Sequence, residues 1–321
     1  PKMLRASLYR PFFKQRVAFD RSLNSMIYRL PVLFPAPAAS NRGISIVTQG
    51  SKSPFGVTAT DTIPGLHLIG SDATSYLARW RYESLSTEAT LLEDATEDGW
   101  QRVSNINPDA VRRFQIELGN DLTDDDVFHY VYGALHSPEY RERYESNLKK
   151  EAPRVPMAPD RATFDAYREA GAELMDLHIG YETVEPYPLK EHWTPRADAA
   201  VDPKVLRVGD KKMRYPKVTD PDTGAKVTDR TQLIFNPHLT LSGIPERAHD
   251  YKLGTRSGID WIIDRYYIKT DKASRIVNDA NAWADEHNDP RYILDLIGRV
   301  TALSLRTLDI IDALPAQGLD Q

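Results

Sequence analysis

Strand-type and helix-type patterning are segregated along this chain, and no other feature constrains its fold as strongly. Short β-branched, aliphatic and aromatic stretches fill the first 82 residues: Leu4–Tyr9, Val17–Phe19, Met26–Leu33, Ile44–Val47, Val57–Thr60 and Leu66–Ile69. Pro35-Ala36-Pro37 and the Gly/Ser/Pro-rich turn Gln49–Pro54 punctuate them. After Tyr82 the signals become helical. Asn107-Pro108-Asp109 supplies a cap and a first-turn proline, and Thr123 precedes Asp124, Asp125 and Asp126, where the helix dipole favours carboxylates. Ser137-Pro138-Glu139 opens a helix to about Lys150. Asp160–Ile179 carries Phe164, Tyr167, Leu174 and Leu177 at helical spacing. Strand signals return at Val205–Val208, Met213–Tyr215, Val227 and Leu233–Phe235, around the turn Asp220-Pro221-Asp222-Thr223-Gly224. Helices over Gly258–Tyr267 and Pro290–Leu314 close the chain. Strands and helices in separate runs predict an α+β fold, not an alternating parallel sheet.

Charge follows the same division. The 321 residues carry a net charge of −5, which by itself argues against nucleic acid. By segment the balance is +8 over 1–82, −14 over 83–203, +6 over 204–275 and −5 over 276–321. These segments are read as a strand-rich basic part, an acidic helical block, a basic hairpin-and-loop part and a C-terminal amphipathic helix. Two basic segments flanking an acidic one suggest a polyanionic partner, although ordinary solvated strand faces would give the same counts. The chain has no cysteine, which excludes disulfides, thiolate metal sites and a cysteine nucleophile. No run approaches the roughly 18 apolar residues of a membrane span, and Pro1–Arg10 has no signal-peptide core, so no membrane association and a cytoplasmic location are expected. A start at Pro1 suggests a piece of a longer protein.

Catalytic motifs are sparse. Gly50-Ser51-Lys52-Ser53 lacks the first glycine of a phosphate-binding loop. Asp285-Glu286-His287 only faintly resembles a helicase acidic box, and Asn236-Pro237-His238-Leu239 lacks the second proline and the aromatic of an amino-methyltransferase motif. Asp202, Asp210 and Lys212 can be fitted to the acid…acid–lysine pattern of magnesium nucleases, although Gly209-Asp210 also suits a turn. His129 and His136, seven apart, are expected as core or capping histidines. Tyr130, Tyr132, Tyr140 and Tyr144 read as packing residues, and Trp261-Ile262-Ile263 as a buried helix.

The basic loops carry more information. Lys52 and Ser53 sit in a turn. Lys211, Lys212, Arg214 and Lys217 surround a hairpin, and Arg230 follows another. Arg256 precedes a helix N-terminus, a position suited to phosphate, and Lys269, Lys272 and Arg275 fall in the loop after that helix. Lysine, arginine and hydroxyls hold phosphates, and bidentate arginine reads bases. These eleven residues are the candidate DNA contacts.

Four stretches, in order, resemble the C-terminal part of single-polypeptide translocating restriction–modification enzymes, the type ISP group: Tyr9–Asn24, Ser51–Gly70, Asp126–Pro156 and Tyr251–Asn281. The resemblance implies a target recognition domain that reads an asymmetric site in double-stranded DNA. It also implies a parent with methyltransferase and helicase modules using S-adenosylmethionine, ATP and magnesium, none of them bound by this chain. The resemblance carries over no individual contact. The expectation is therefore a non-catalytic DNA-specificity region. The alternatives are a small magnesium nuclease built on Asp202, Asp210 and Lys212, or an interaction module docking through the acidic helices of Glu83–Pro203.

Overall fold

The structure is a computed structural model and describes residues 3–47, 50–85, 99–195 and 202–318. The chain forms two compact units. Unit 1 comprises Pro1–Tyr9, Lys14–Ile179 and Asp309–Gln321, and unit 2 comprises Arg10–Phe13 and Gly180–Leu308.

The first strands are β1 (Leu4–Arg10), β2 (Phe13–Ala18), β3 (Gly43–Val47), β4 (Val57–Thr60), β5 (Ile63–Pro64), β6 (Thr74–Ala78), β7 (Trp80–Ser84) and β8 (Trp100–Ser104). They form three small sheets, ordered β2–β1–β5, β4–β3–β6 and β7–β8. In the second of these, Ile44 of β3 faces Ala59 on one side and Leu77 on the other, both antiparallel. Every residue of β3 and β4 is buried, Ser45, Thr58 and Thr60 included, so the alternation of apolar and hydroxyl residues along them does not mark a solvent-facing side.

The helices of unit 1 start where the sequence places their caps. A short α1 (Leu30–Leu33) lies among the strands. Asn107 accepts from the Asp109 N–H at the start of α2 (Pro108–Leu118), and Thr123 and Asp126 form a reciprocal capping box on α3 (Asp124–Ala134). Next come α4 (Pro138–Arg143), α5 (Glu145–Leu148) and the long α6 (Arg161–Ile179). Phe128 and Tyr132 of α3 and Leu174 and Met175 of α6 join Ile44, Ile46, Val57 and Ala59 in one core. Burial of these apolar groups against one another is the main driving force for the unit.

Unit 2 is built from β9 (Lys190–Trp193), β10 (Lys217–Thr219), β11 (Lys226–Thr228), β12 (Gln232–Ile234), β13 (Leu239–Ser242), β14 (Lys252–Leu253), β15 (Arg256–Ser257), α7 (Gly258–Arg265), β16 (Lys269–Thr270), β17 (Val277–Asn278), α8 (Ala282–Glu286) and α9 (Tyr292–Asp312). The antiparallel sheet β12–β13–β9 pairs Leu233 with Leu241 and Leu241 with Glu191. Trp261 of α7 is buried with its indole N–H on the Leu253 carbonyl, 3.0 Å away, and Tyr266 donates to the Phe12 carbonyl at 2.8 Å. Ile293, Leu296, Ile297, Val300 and Leu303 bury one side of α9, whose last turn, from Asp309, belongs to unit 1. No described helix is long and apolar enough to cross a membrane.

The mixture of helices and small, mostly antiparallel sheets is the α+β fold that segregated patterning predicts. Local geometry departs from expectation in five places, one of them Met213–Tyr215, which makes only an isolated bridge from Arg214 to Ile234 and no strand. Leu66–Ile69 forms turns, not a strand, although Leu68 and Ile69 are buried. Val205–Val208 enters a 3₁₀ turn (Pro203–Leu206) with Asp202 as its cap. Met26–Leu33 is a turn leading into α1. The helix expected from Ser137 to Lys150 breaks at Tyr144, which ends α4 and precedes α5.

Candidate nucleic-acid interface

The basic residues of unit 2 are organised by α7. Ser257 caps the helix, accepting from the Asp260 N–H at 3.2 Å, while the Asp260 carboxylate accepts from the Ser257 N–H at 3.3 Å. Asp260 and Asp264 stand one helical turn apart and share a face. Asp260 accepts from Arg230 Nη2 and from Tyr215 Oη, both at 2.8 Å. Burial disfavours the charged form of Asp260, but the hydrogen bonds from Tyr215 and Ser257 and the charge on Arg230 outweigh it and hold the carboxyl below its ordinary value. Arg230 also reaches His249 Nδ1 at 3.0 Å, and its guanidinium lies 5.2 Å from the centre of the Tyr215 ring. An arginine can only donate, so His249 Nδ1 accepts and its Nε2–H donates back to the Arg230 carbonyl at 3.0 Å.

Asp264 gathers a second set of cations. Lys212 Nζ lies 2.7 Å away, Arg265 Nη2 2.8 Å and Arg256 Nη2 3.9 Å. Burial again works against the charge, and Lys212, Arg265 and Arg256 together keep this carboxyl low. Arg256 also lies over the Trp261 ring, 4.9 Å from its centre, and Lys212 over the Tyr267 ring at 4.8 Å. Lys212, Arg230 and Arg256 are thus already engaged with carboxylates of α7.

The other candidates in unit 2 differ. Lys211, Arg214, Lys217, Lys272 and Arg275 are exposed, and none has a side-chain partner among the described residues. Lys269 is exposed on β16, close enough to Asp271 for its charge to help lower that carboxyl. The Lys211-Lys212 turn lies beside the β16–β17 hairpin, because the Ile268 N–H donates to the Gly209 carbonyl at 2.7 Å. At the same base of that hairpin Arg207 pairs with Asp279 at 3.5 Å, and it reaches Asp285 of α8 at 2.5 Å, while the Asn281 amide pairs with both backbone groups of Val208. The structure therefore brings Lys211, Lys212, Arg256 and Lys269 into one neighbourhood, with Lys272 and Arg275 at the end of the hairpin.

Lys52 and Ser53 belong to unit 1. Their turn is organised by Asp72, which accepts from the Ser51 hydroxyl at 2.8 Å and the Lys52 N–H at 3.1 Å, leaving the Lys52 side chain exposed.

Asp202 accepts from the Lys204 N–H at 3.0 Å, Lys212 is engaged by Asp264, and among the described residues no three His, Asp or Glu side chains gather to hold a metal. His129 lies within α3, whereas His136 lies just beyond it, because α3 ends at Ala134. Its buried ring donates through Nδ1–H to the Tyr132 carbonyl at 2.9 Å, while the Tyr132 hydroxyl meets His178 Nδ1 at 2.6 Å. The sequence reading missed Tyr215, Asp260 and Asp264. A carboxylate pair at helical spacing was visible, but its partners Arg230, Tyr215 and Lys212 arrive from 30 to 52 residues away in sequence.

A capped helix thus holds arginines and lysines around its acidic face, and beside it lie Lys211, Lys272 and Arg275, which have no side-chain partner among the described residues. The chain belongs to the family of Type ISP C-terminal specificity domains, whose family model matches residues 1–296. Three solved structures are similar to it over nearly its whole length. One is a nuclease-deletion mutant of the Type ISP restriction–modification enzyme LlaGI in complex with a DNA substrate mimic (33% identity, TM-score 0.75, 98% of this chain and 25% of that one). Another is the ATP-dependent Type ISP restriction–modification enzyme LlaBIII bound to DNA (28% identity, TM-score 0.81, 98% and 18%). The third is a DrdV–DNA complex (34% identity, TM-score 0.77, 99% and 29%). The chain therefore spans less than a third of the length of each of these proteins. No curated protein matches it.

Proposed function

We propose that this chain reads a specific sequence in double-stranded DNA as the specificity region of a fused restriction–modification enzyme. One observation carries the reading: the likeness extends over 98–99% of the chain, at 28–34% identity, to enzymes whose structures contain DNA. The exposed cations of unit 2 support it physically. Lys211, Lys217, Lys269 and Lys272 suit phosphate oxygens, and Lys52 and Ser53 would contribute a further backbone contact from unit 1. Lys212, Arg230 and Arg256 present partly exposed cations held in place by α7, while Arg214 and Arg275 are free to reach a base edge.

In this reading the chemistry lies elsewhere in the parent protein. Methyl transfer from S-adenosylmethionine and ATP- and magnesium-dependent translocation and cleavage would be carried out by methyltransferase and helicase modules, and this chain would position them on their site. The enzyme would work in the cytoplasm, where its DNA is. The test is to equilibrate the 321-residue chain with a pool of random duplexes at low salt, recover the bound fraction and sequence it. A recurring motif is expected, with affinity falling steeply as salt rises. Weak, sequence-blind binding at low salt would overturn the assignment.

A further inference from the structure

Two hairpins of unit 2 are built on the same turn, and they differ where it costs most. In the β10–β11 hairpin, Asp220 Oδ1 accepts from the N–H groups of Asp222 (3.0 Å) and Thr223 (2.7 Å) and from the Thr223 hydroxyl (2.9 Å). The Gly224 N–H returns to the Asp220 carbonyl, and the Asp220 N–H reaches the Ala225 carbonyl, each at 2.9 Å. In the β16–β17 hairpin, Asp271 Oδ1 accepts from the N–H groups of Ala273 (3.1 Å) and Ser274 (2.8 Å) and from the Ser274 hydroxyl (2.9 Å). The Arg275 N–H returns to the Asp271 carbonyl at 3.0 Å, and the Asp271 N–H reaches the Ile276 carbonyl at 2.9 Å. Each turn is thus locked by an aspartate and a hydroxyl residue three positions on.

The fifth position of each turn is left-handed. Gly224 occupies it at φ +68° and Arg275 at φ +62°. Glycine adopts this conformation freely, whereas a residue with a Cβ is strained there. The next two residues are Ala225 and Lys226 in the first hairpin, but Ile276 and Val277 in the second, and these two aliphatics are 61% and 58% exposed. The second hairpin therefore tolerates backbone strain and exposed apolar surface for the sake of three side chains at its tip. The Arg275 guanidinium has no partner among the described residues. Both strands of the hairpin are fixed at its base, by Ile268 on Gly209 and by Arg207 on Asp279. Rigidity at tip and base together aims these side chains outward and reduces the ordering cost of a contact.

A two-stranded ribbon fits the major groove, arginine binds a guanine edge through two hydrogen bonds, and an aliphatic side chain packs on a thymine methyl. We propose that Arg275 is a base-reading residue that donates to a guanine in the major groove, with Ile276 against a neighbouring thymine methyl. The β10–β11 hairpin, with glycine at the equivalent place, makes no such contact. This rests on the DNA-reading function proposed above. Strained residues persist where the surroundings enforce them and cluster at binding sites, which is the inference drawn for Arg275.

The test uses the whole chain and the motif that the wild type selects. R275G, R275K and I276A are compared with wild type on that duplex and on its single-base-pair variants, across a range of salt. R275G is expected to melt no lower than wild type, because it relieves the strained position. It should lose about ten- to hundredfold discrimination at one base pair, with little change in affinity for unrelated duplexes or in the salt slope. R275K restores the charge but not the discrimination, and I276A relaxes preference at an adjacent pair. The proposal falls if R275G selects the same motif as wild type. It also falls if R275G loses affinity equally on every duplex with a salt slope lower by about one, the behaviour of a phosphate contact. A wild-type chain that selects no motif would instead overturn the DNA-reading function itself, and this inference with it.

Discussion

Gly133 and Gly171 lie face to face where α3 crosses α6. A Cβ on Gly171 would come within 1.8 Å of the His129 carbonyl oxygen, and one on Gly133 within 2.2 Å of the Tyr167 carbonyl oxygen. The obstacle in both cases is backbone, which cannot rotate away, so the two helix axes are held at a separation that only glycine permits. The adjacent core, Phe128 and Tyr132 against Leu174 and Met175, is packed to that separation.

Alanine at position 171 is therefore expected to destabilise the protein, despite alanine's better helix propensity. Propensity alone would favour the change by about 1 kcal/mol. Forcing two packed helices apart costs about 3 kcal/mol or more, so the net effect is a loss. Thermal unfolding of G171A and G133A checks this. A melting temperature equal to or above that of the wild type would show that the helices can separate without cost.

Acid should destabilise unit 1 through its buried histidines. Burial and the positive charge of Arg141 depress His178 to about 3, and burial, with Arg141 and His178, holds His136 well below its ordinary value. Both rings are neutral in the fold, whereas in the unfolded chain they protonate near pH 6.5. The unfolded state thus binds more protons below that pH. Stability is complete above about pH 6.5 and falls as pH drops toward 3, each histidine lowering the folding constant by up to about tenfold per pH unit. Urea midpoints measured from pH 7.5 to 4.5 give the slope, and His178→Gln should flatten it between pH 6.5 and 5. An unchanged slope in that variant would count against the assignment.

Much of this fold was legible in the sequence because it is set locally. Asn107, Thr123 and Ser137 cap helices, and Asp220–Gly224 closes a hairpin, through contacts made within three or four residues. Leu66–Ile69 was misread because an apolar run reports burial, not backbone shape: Leu68 and Ile69 are buried within turns. The candidate site was legible only as a set of cations. Which are neutralised depends on Asp260 meeting Arg230 and Asp264 meeting Lys212, pairings 30 and 52 residues long that no local pattern encodes. The strain at Arg275 was likewise invisible, since a left-handed arginine has no sequence signature.

Asp260 should matter for stability more than its charge suggests. It anchors the capping box of α7, accepts from Tyr215 and pairs with Arg230. Asp260→Asn weakens the cap and leaves Arg230 without its counter-ion, at a cost of about 2 kcal/mol. Ser257→Ala removes only the other half of the cap and should cost about 1 kcal/mol. Thermal melts of the two variants should rank in that order. Equal melting temperatures would mean that the Arg230 pairing adds nothing.

The free and the engaged cations should separate in a salt titration. Lys211 and Lys272 have no side-chain partner among the described residues, so either can give its full charge to a phosphate. Lys211→Ala or Lys272→Ala should weaken binding to all duplexes alike and reduce the slope of log K against log salt by about one, with the melting temperature unchanged. Lys212 and Arg256 already share Asp264. Lys212→Ala should lower the melting temperature by leaving that half-buried carboxylate undercompensated, and should alter the salt slope by less than Lys211→Ala does. If Lys212→Ala and Lys211→Ala reduce the slope equally, the lysine that Asp264 holds in the free protein turns to the phosphate when DNA binds.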